Sequence, residues 1–379
     1  MDTYDVAIVG GGPAGSATAL FLRRLGCTVC LLERKQFPRE ILCGEFLSHE
    51  VTESLTDLGI DARFMALRPN AIDTLIIHSE RGRSAGAKLG FTGYGMKRGT
   101  FDQFLLAEAR EHGVTVIQPA EVSGIARTGS SFTVRFTDGS GVRELSAAHV
   151  VCAYGKQNIL DKKLNRAATG APSHLNGVKF HIDRELCPGI DTGAIHLFTG
   201  SHLYCGVNAV DENKVTVCFL EQRTAGDESP RRQLARLWTE NQSFRNLFAD
   251  GFSEYAEHVQ LYGTGNIHFG GKEAVVDGIF MVGDAAGVIA PLTGDGIGMA
   301  FEGARLVAEI FALEREGSLA PDAAAHLYTK RRNTLFKNRL RIARSLQTVL
   351  LSSPLRTFGL SAINAVPRML PIFVSLTRG

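Results

Sequence analysis

Two glycine-rich turns, each with an acid in register, are the stretches of this chain whose residue types and spacing point to chemistry. The first lies in "YDVAIVGGGPAGSATALFLRRLGCTVCLLER". Gly10, Gly12 and Gly15 follow the apolar run Val6–Val9, a helical pattern with Ala17, Leu20, Phe21 and Leu25 on one face comes next, and Glu33 stands about twenty residues on. Strand, turn, helix and acid in this order hold a dinucleotide. Gly10 permits the tight turn, Gly12 lets backbone approach a pyrophosphate, and Gly15 lets helix and strand pack closely. The helix start, with Pro13 and Ala14 in its first turn, offers N–H groups to the phosphates. An acid at Glu33 suits a free ribose 2′-hydroxyl, so ADP-ribose of NAD or FAD type is expected and NADP is not.

The second turn is "VGDAAGVIAPLTGDGIGMA", residues 282–300. It follows the strand-like "IFMVGD", which ends in Asp284, and runs into a helical pattern from Met299. A helix N-terminus there carries about half a positive charge and stabilises an anion by roughly 0.3–2 kcal/mol. Between the two turns the chain abandons the βαβ rhythm of an NAD dehydrogenase. It offers instead "EVSGIAR", "SFTVRFT" and "RELSAAHVVCA", an antiparallel meander. The late turn therefore reads as the second half of one FAD site.

With these motifs and "GYGMKRGTFDQFLLAEAREHG" between them, the chain resembles, essentially from end to end, one family of flavoproteins. It comprises para-hydroxybenzoate hydroxylase and other group A flavin monooxygenases, flavin-dependent halogenases and geranylgeranyl reductases. The resemblance implies an α/β fold with a Rossmann-type FAD-binding domain (para-hydroxybenzoate hydroxylase-like), a β-sheet substrate domain and a C-terminal helical tail. Residues 1–70, 96–174 and 266–316 would form the FAD-binding domain, 71–95 and 175–265 the substrate domain, and 317–379 a helical lid. FAD would be non-covalent, with Gly283 and Asp284 at the ribityl chain and Gly294, Gly296 and Ile297 against the ring. The resemblance places Arg98 on the cofactor, adds Arg34, Gly44, Val122 and Gly155 to its contacts, and puts Tyr204 and Pro291 in the substrate pocket.

Cys43-Gly44 resembles the Cys-Gly motif that geranylgeranyl reductases place at the flavin's active face. Cys43 is thus the candidate catalytic residue, with simple packing as the alternative. Tyr154 stands in "CAYGKQNILDKKL" where the family has Asp, a departure at a position through which hydroxylases relay NAD(P)H contacts. Trp238, expected in a surface helix, is the one tryptophan, so the paired tryptophans of halogenases are missing and halogenation is not expected. The expected reaction is monooxygenation: hydroxylation of a hydrophobic aromatic or polyketide-like substrate, with NAD(P)H or a reductase as electron donor. The alternative is geranylgeranyl reductase-like reduction of prenyl-chain double bonds. A non-catalytic electron-transfer flavoprotein is a third reading, weakened by the lack of an iron–sulfur cysteine set.

The composition frames these readings. At 379 residues, 44% hydrophobic and 21% charged, the chain matches a large-cored enzyme. Seven scattered cysteines, an odd number, suit a reducing cytoplasmic setting. Cys27 and Cys30 have redox spacing but lie in a strand pattern, not at a helix start. No leader-like amino terminus or spanning apolar run is expected. No metal site is expected either, since His174 and His181 are spaced too loosely, and no nucleic-acid module is seen. Residues 330–379 hold ten Lys/Arg and no acid, against 31 basic and 39 acidic residues elsewhere, a balance of −8. Leu335, Leu340, Ile342, Ala343 and Leu346 recur there at helical spacing, broken by Pro354, Pro367 and Pro371. The tail reads either as a helix packed on the acidic body or as a lid touching an anionic membrane at its periphery.

Overall fold

The apolar run at the amino terminus becomes the strand Asp2–Val9, with its last four residues buried. A strand covered on both faces suits the middle of a parallel sheet. It pairs in parallel with Val29–Leu32 on one side and Gly141–Cys152 on the other. The sheet extends in parallel to Thr115–Ile117 and, at its other side, to Ile279–Met281. The helix Pro13–Arg24 packs on it beside the longer helix Gly296–Arg315, sharing one apolar core. This is the Rossmann-type half of an α/β fold. The expected meander is present as Glu121–Thr128, Ser131–Asp138 and Gly141–Cys152, antiparallel throughout. This computed structural model describes the chain except residues 81, 83, 157–158, 167–174, 223–228, 266, 268 and 353–379, and the side chains of 321–322.

A second eight-stranded sheet runs Tyr262–Thr264, Leu175–Asp183, Lys214–Gln222, Leu203–Ala209, Ala194–Gly200, Asn70–His78, Ser84–Gly95 and Phe46–Leu47. Strand alternation gives it two different faces. Val178, Phe180, Phe198, Val207, Val217 and Phe219 face the helix Pro230–Glu240 and its neighbours. Leu175, Leu197, Tyr204 and Leu220 face Leu42, Val288 and Leu292 of the first half. Lys179, His181, Thr216 and Cys218 continue this inner face, because each lies two or four residues along a strand, or directly opposite, in register. Phe46–Leu47 pairs with the end of Ser84–Gly95, so the segment carrying Cys43 and Gly44 feeds straight into the second sheet.

The helix that carries Trp238 has a solvent-facing side, as expected, and Trp238 itself is half-buried, its ring stacked on Phe252 at 4.7 Å. The described part of the tail is the helix Pro321–Leu351. One expectation changes there. Leu335 is 41% exposed, while Tyr328, Phe336 and Ala343 are buried. At 3.6 residues per turn these three share a stripe about 80° wide with Arg332 and Arg339, and Leu335 falls just outside its edge, about 20° beyond Tyr328. Pro354, Pro367 and Pro371 lie outside the described residues.

Candidate active site

The first turn is built so that two of its glycines admit no side chain. A Cβ on Gly10, whose φ is +108°, would lie 2.5 Å from the Ala153 carbonyl, and one on Gly15 would lie 1.8 Å from the Gly10 carbonyl. Gly12 differs: its nearest neighbour would be an Arg39 nitrogen at 3.9 Å, so its open side is available to a ligand. The helix Pro13–Arg24 begins there with no side-chain cap. Glu33 is 3% exposed and accepts the Gly11 N–H and the Lys35 N–H, both at 2.7 Å. Its carboxylate is thereby fixed at the carboxyl end of Val29–Leu32.

Arg39, which the sequence reading did not single out, lies over the Phe37 ring at 4.9 Å and 3.7 Å from Glu33. Its Nε is buried without a partner. A guanidinium beside an uncapped helix start and an open glycine is the donor set a pyrophosphate requires. Arg34 is exposed. The one sequence signal for Arg39 is its place in "FPRE", six residues past Glu33.

The late turn meets the first. A Cβ on Gly283, at φ +60°, would lie 2.8 Å from that of Ala14. Asp284 sits half-buried in the short 3₁₀ turn Gly283–Ala285 and, among the described residues, accepts no hydrogen bond. Gly294, at φ +61°, packs against the Phe46 ring, and Gly296 and Ile297 open the helix Gly296–Arg315, again without a side-chain cap. An unpartnered carboxylate and two uncapped helix starts on one seam fit a dinucleotide that would lie between them. Behind the seam, Arg339 from the tail helix pairs with Glu302 at 2.5 Å and reaches Asp295 at 3.4 Å. Val122 is buried in the meander core, and Gly155 has φ +84° with open space around it. Tyr204 is 4% exposed, whereas Pro291 is exposed.

Tyr154, the departure from the family pattern, donates to Asp161 Oδ1 at 2.8 Å. Arg166 donates to the Tyr154 hydroxyl, to Asp161, and to the Ala285 carbonyl of the late turn at 2.8 Å. A carboxylate seven residues downstream thus joins the network at this corner. Burial drives the Tyr154 phenol well above its ordinary range, so it stays a donor.

Cys43 is half-buried, and its Sγ accepts the Glu45 N–H at 3.3 Å. The Arg98 guanidinium lies close enough to Cys43 to interact with it electrostatically and forms a fork with Asp102 at 2.8 and 3.0 Å. Burial opposes the Arg98 charge, but Asp102 more than offsets it and raises its pKa. Glu45, buried and held at φ +58°, is the hub of this corner. Its Oε1 accepts the Arg98 N–H at 2.9 Å and Lys179 Nζ at 2.8 Å, and its Oε2 lies 2.5 Å from His181 Nε2. Lys179 also donates to Glu40 at 2.6 Å. Burial acts to raise the Glu45 carboxyl, yet His181 and Lys179 hold it below the usual range. Burial likewise acts to lower Lys179, and Glu45 with Glu40 keeps it raised.

Ligand atoms of Glu40, Glu45 and His181 converge within 4.8 Å of one another, a meeting the sequence did not reveal. The Lys179 ammonium already occupies the position between the two carboxylates that a metal ion would take.

Residues 3–342 match the family described as FAD binding domain. Digeranylgeranylglycerophospholipid reductase 2 of Methanothermobacter thermautotrophicus is 28% identical, over 82% of this chain and 78% of that protein. A 1H-pyrrole-2-carbonyl-[peptidyl-carrier protein] chlorinase of Pseudomonas fluorescens is 23% identical, over 80% and 74%. Among solved structures, p-nitrophenol 4-monooxygenase from Pseudomonas putida superposes with a TM-score of 0.82 at 17% identity, covering 100% of this chain and 99% of that one. That likeness is one of fold.

Proposed function

The chain belongs to the FAD binding domain family, and on that premise we propose that this FAD-dependent oxidoreductase delivers its electrons to isolated double bonds of an apolar, prenyl-like chain. Glu33 would hold the ribose, Arg39 and the Pro13–Arg24 helix start the pyrophosphate, Asp284 the ribityl chain, and Gly294–Ile297 the ring. FAD supplies the two-electron chemistry when bound. The chain's own residues bind it, keep water out and place a proton donor. An apolar seam for the substrate runs from Leu175, Leu197 and Leu220 to Leu42 and Leu292.

The observation that carries the reading is the position of Cys43: a thiol beside the Arg98 guanidinium, on the strip of chain that leads into the inner sheet. The reductase relative supports it, since a digeranylgeranyl lipid is the substrate its name gives. The test is Cys43→Ser. General-acid help is worth about 10²–10⁴-fold, so turnover should fall at least a hundredfold with full FAD occupancy. Unchanged turnover with full FAD would overturn the reading.

A second reading is NAD(P)H-dependent hydroxylation of an aromatic or polyketide-like molecule, and Tyr204 favours it. Its buried hydroxyl donates to no group among the described residues, and burial keeps it protonated, so it could bond a substrate oxygen. For either substrate, the outward Lys330, Lys337 and Arg341 of the tail helix suit peripheral contact with an anionic membrane. Flotation no greater with anionic than with neutral vesicles would remove that contact. Among the described residues no helix is long and apolar enough to cross a membrane.

A further inference from the structure

Glu40, Glu45, Lys179 and His181 form a charged cluster for which the chemistry above gives no use. One ammonium, two carboxylates and a neutral imidazole sum to −1, and protonating His181 brings the sum to zero. Lys179 and Glu45 are fully buried, so the imbalance is poorly screened by water. We propose that His181 is the proton-linked group of this site, gaining a proton at Nδ1 when the bound flavin gains its electrons. This rests on placing the flavin ring beside Gly44 and Gly294–Ile297, as proposed above.

The geometry fixes which nitrogen responds. Ionised Glu45 can only accept, so the nitrogen it touches, Nε2, already carries hydrogen and Nδ1 is the one that gains it. Nδ1 lies 3.8 Å from Glu40 Oε1, and the Glu40 side chain is 31% exposed, which opens a path for a proton from water. The groups around the imbalance cancel. Arg98 is neutralised by Asp102, and Lys214 on the neighbouring strand by Asp183. Across the register from His181 stands uncharged Thr216. Tyr255 reaches the His181 carbonyl as a neutral donor, since burial raises its phenol. Cys218, also raised by burial, stays a thiol.

Either reaction needs one proton from water for each hydride equivalent. An alkene, NAD(P)H and H⁺ give the saturated chain and NAD(P)⁺: the π bond breaks and two C–H bonds form, one from hydride and one from the proton. A C–H bond, dioxygen, NAD(P)H and H⁺ give an alcohol, water and NAD(P)⁺. Reduction places negative charge on the flavin beside a cluster that is already negative. A proton on His181 offsets it and is given up again when the electrons leave.

The test counts protons. Wild-type holoenzyme and His181→Gln, which keeps an N–H donor towards Glu45, are reduced anaerobically with an indicator dye present. One added charge about 10 Å away, at an effective dielectric near 20, moves a titration by about one unit. Wild type should therefore take up as much as about half a proton more per flavin than the variant at the pH where the difference is greatest. Glu40→Gln, altering a half-exposed side chain, removes one negative charge and should move that maximum to lower pH. Equal uptake in wild type and His181→Gln overturns the proposal, as does a maximum that Glu40→Gln leaves in place. Asp284→Ala separates the two failures. If it leaves FAD affinity intact, the flavin has been misplaced; if it loosens FAD while uptake is unchanged, only the role of His181 falls.

Discussion

Asp284→Ala isolates the contact on which the two-part FAD site depends. In the protein alone the Asp284 carboxylate accepts no hydrogen bond among the described residues, and it sits half-buried in the turn Gly283–Ala285. Its removal therefore breaks nothing in the folded apoprotein, and the loss should appear in FAD binding alone. A hydrogen bond to a charged group is worth about 1.5–3 kcal/mol. At about 1.4 kcal/mol per decade, FAD affinity should fall roughly 10- to 150-fold. Asp284→Asn keeps an acceptor oxygen without the charge and should fall near the lower end. The assay is the dissociation constant from quenching of FAD fluorescence, with apoprotein Tm as the control. An unchanged constant at unchanged Tm would refute the placement of the late turn.

Two further predictions use groups away from that turn. Arg39→Ala should weaken FAD binding at least tenfold, through loss of a charge-assisted pyrophosphate contact; a constant within twofold of wild type would contradict it. His78 Nε2 meets His196 Nδ1 at 3.0 Å, and burial, then His196, pushes His78 down to about 4. The folded pKa is depressed, so between about pH 6.5 and 4 the unfolded chain binds more protons and stability falls as pH falls. At most about 2 kcal/mol should be lost by pH 5, less as water reaches the ring. Urea midpoints at pH 7.5 and 5 for wild type and His78→Gln measure it. An equally steep loss in the variant would rule His78 out.

What was legible in the sequence was local. Gly10, Gly12, Gly15 and Glu33 sit within one strand–helix–strand unit, and Asp284 is adjacent to its own turn, so spacing alone brings each group together. The strand pattern around Cys30 was equally readable: burial pushes that thiol up to about 12, which suits packing and not redox exchange. What escaped was non-local. Lys179 and Glu45 are 134 residues apart, and nothing in "VKFHI" or "ILCGE" shows that one faces the other. Arg39 escaped because its worth depends on which way a loop folds over Gly12. Leu335 was misplaced because it falls at the edge of the buried stripe, where hydrophobic spacing in a basic helix cannot weigh inward Arg332 and an Arg339 that is held by Glu302.

The most direct test of the central claim is an anaerobic single turnover. Enzyme whose FAD has been reduced is mixed with a polyprenyl substrate in one syringe and with dioxygen in another, and flavin absorbance and product mass are followed. The account predicts reoxidation by the polyprenyl substrate, with a mass gain of two hydrogens per flavin, and slow reoxidation by dioxygen. Rapid reoxidation by dioxygen, with one oxygen atom entering an aromatic or polyketide-like substrate and the prenyl chain left unsaturated, would contradict it.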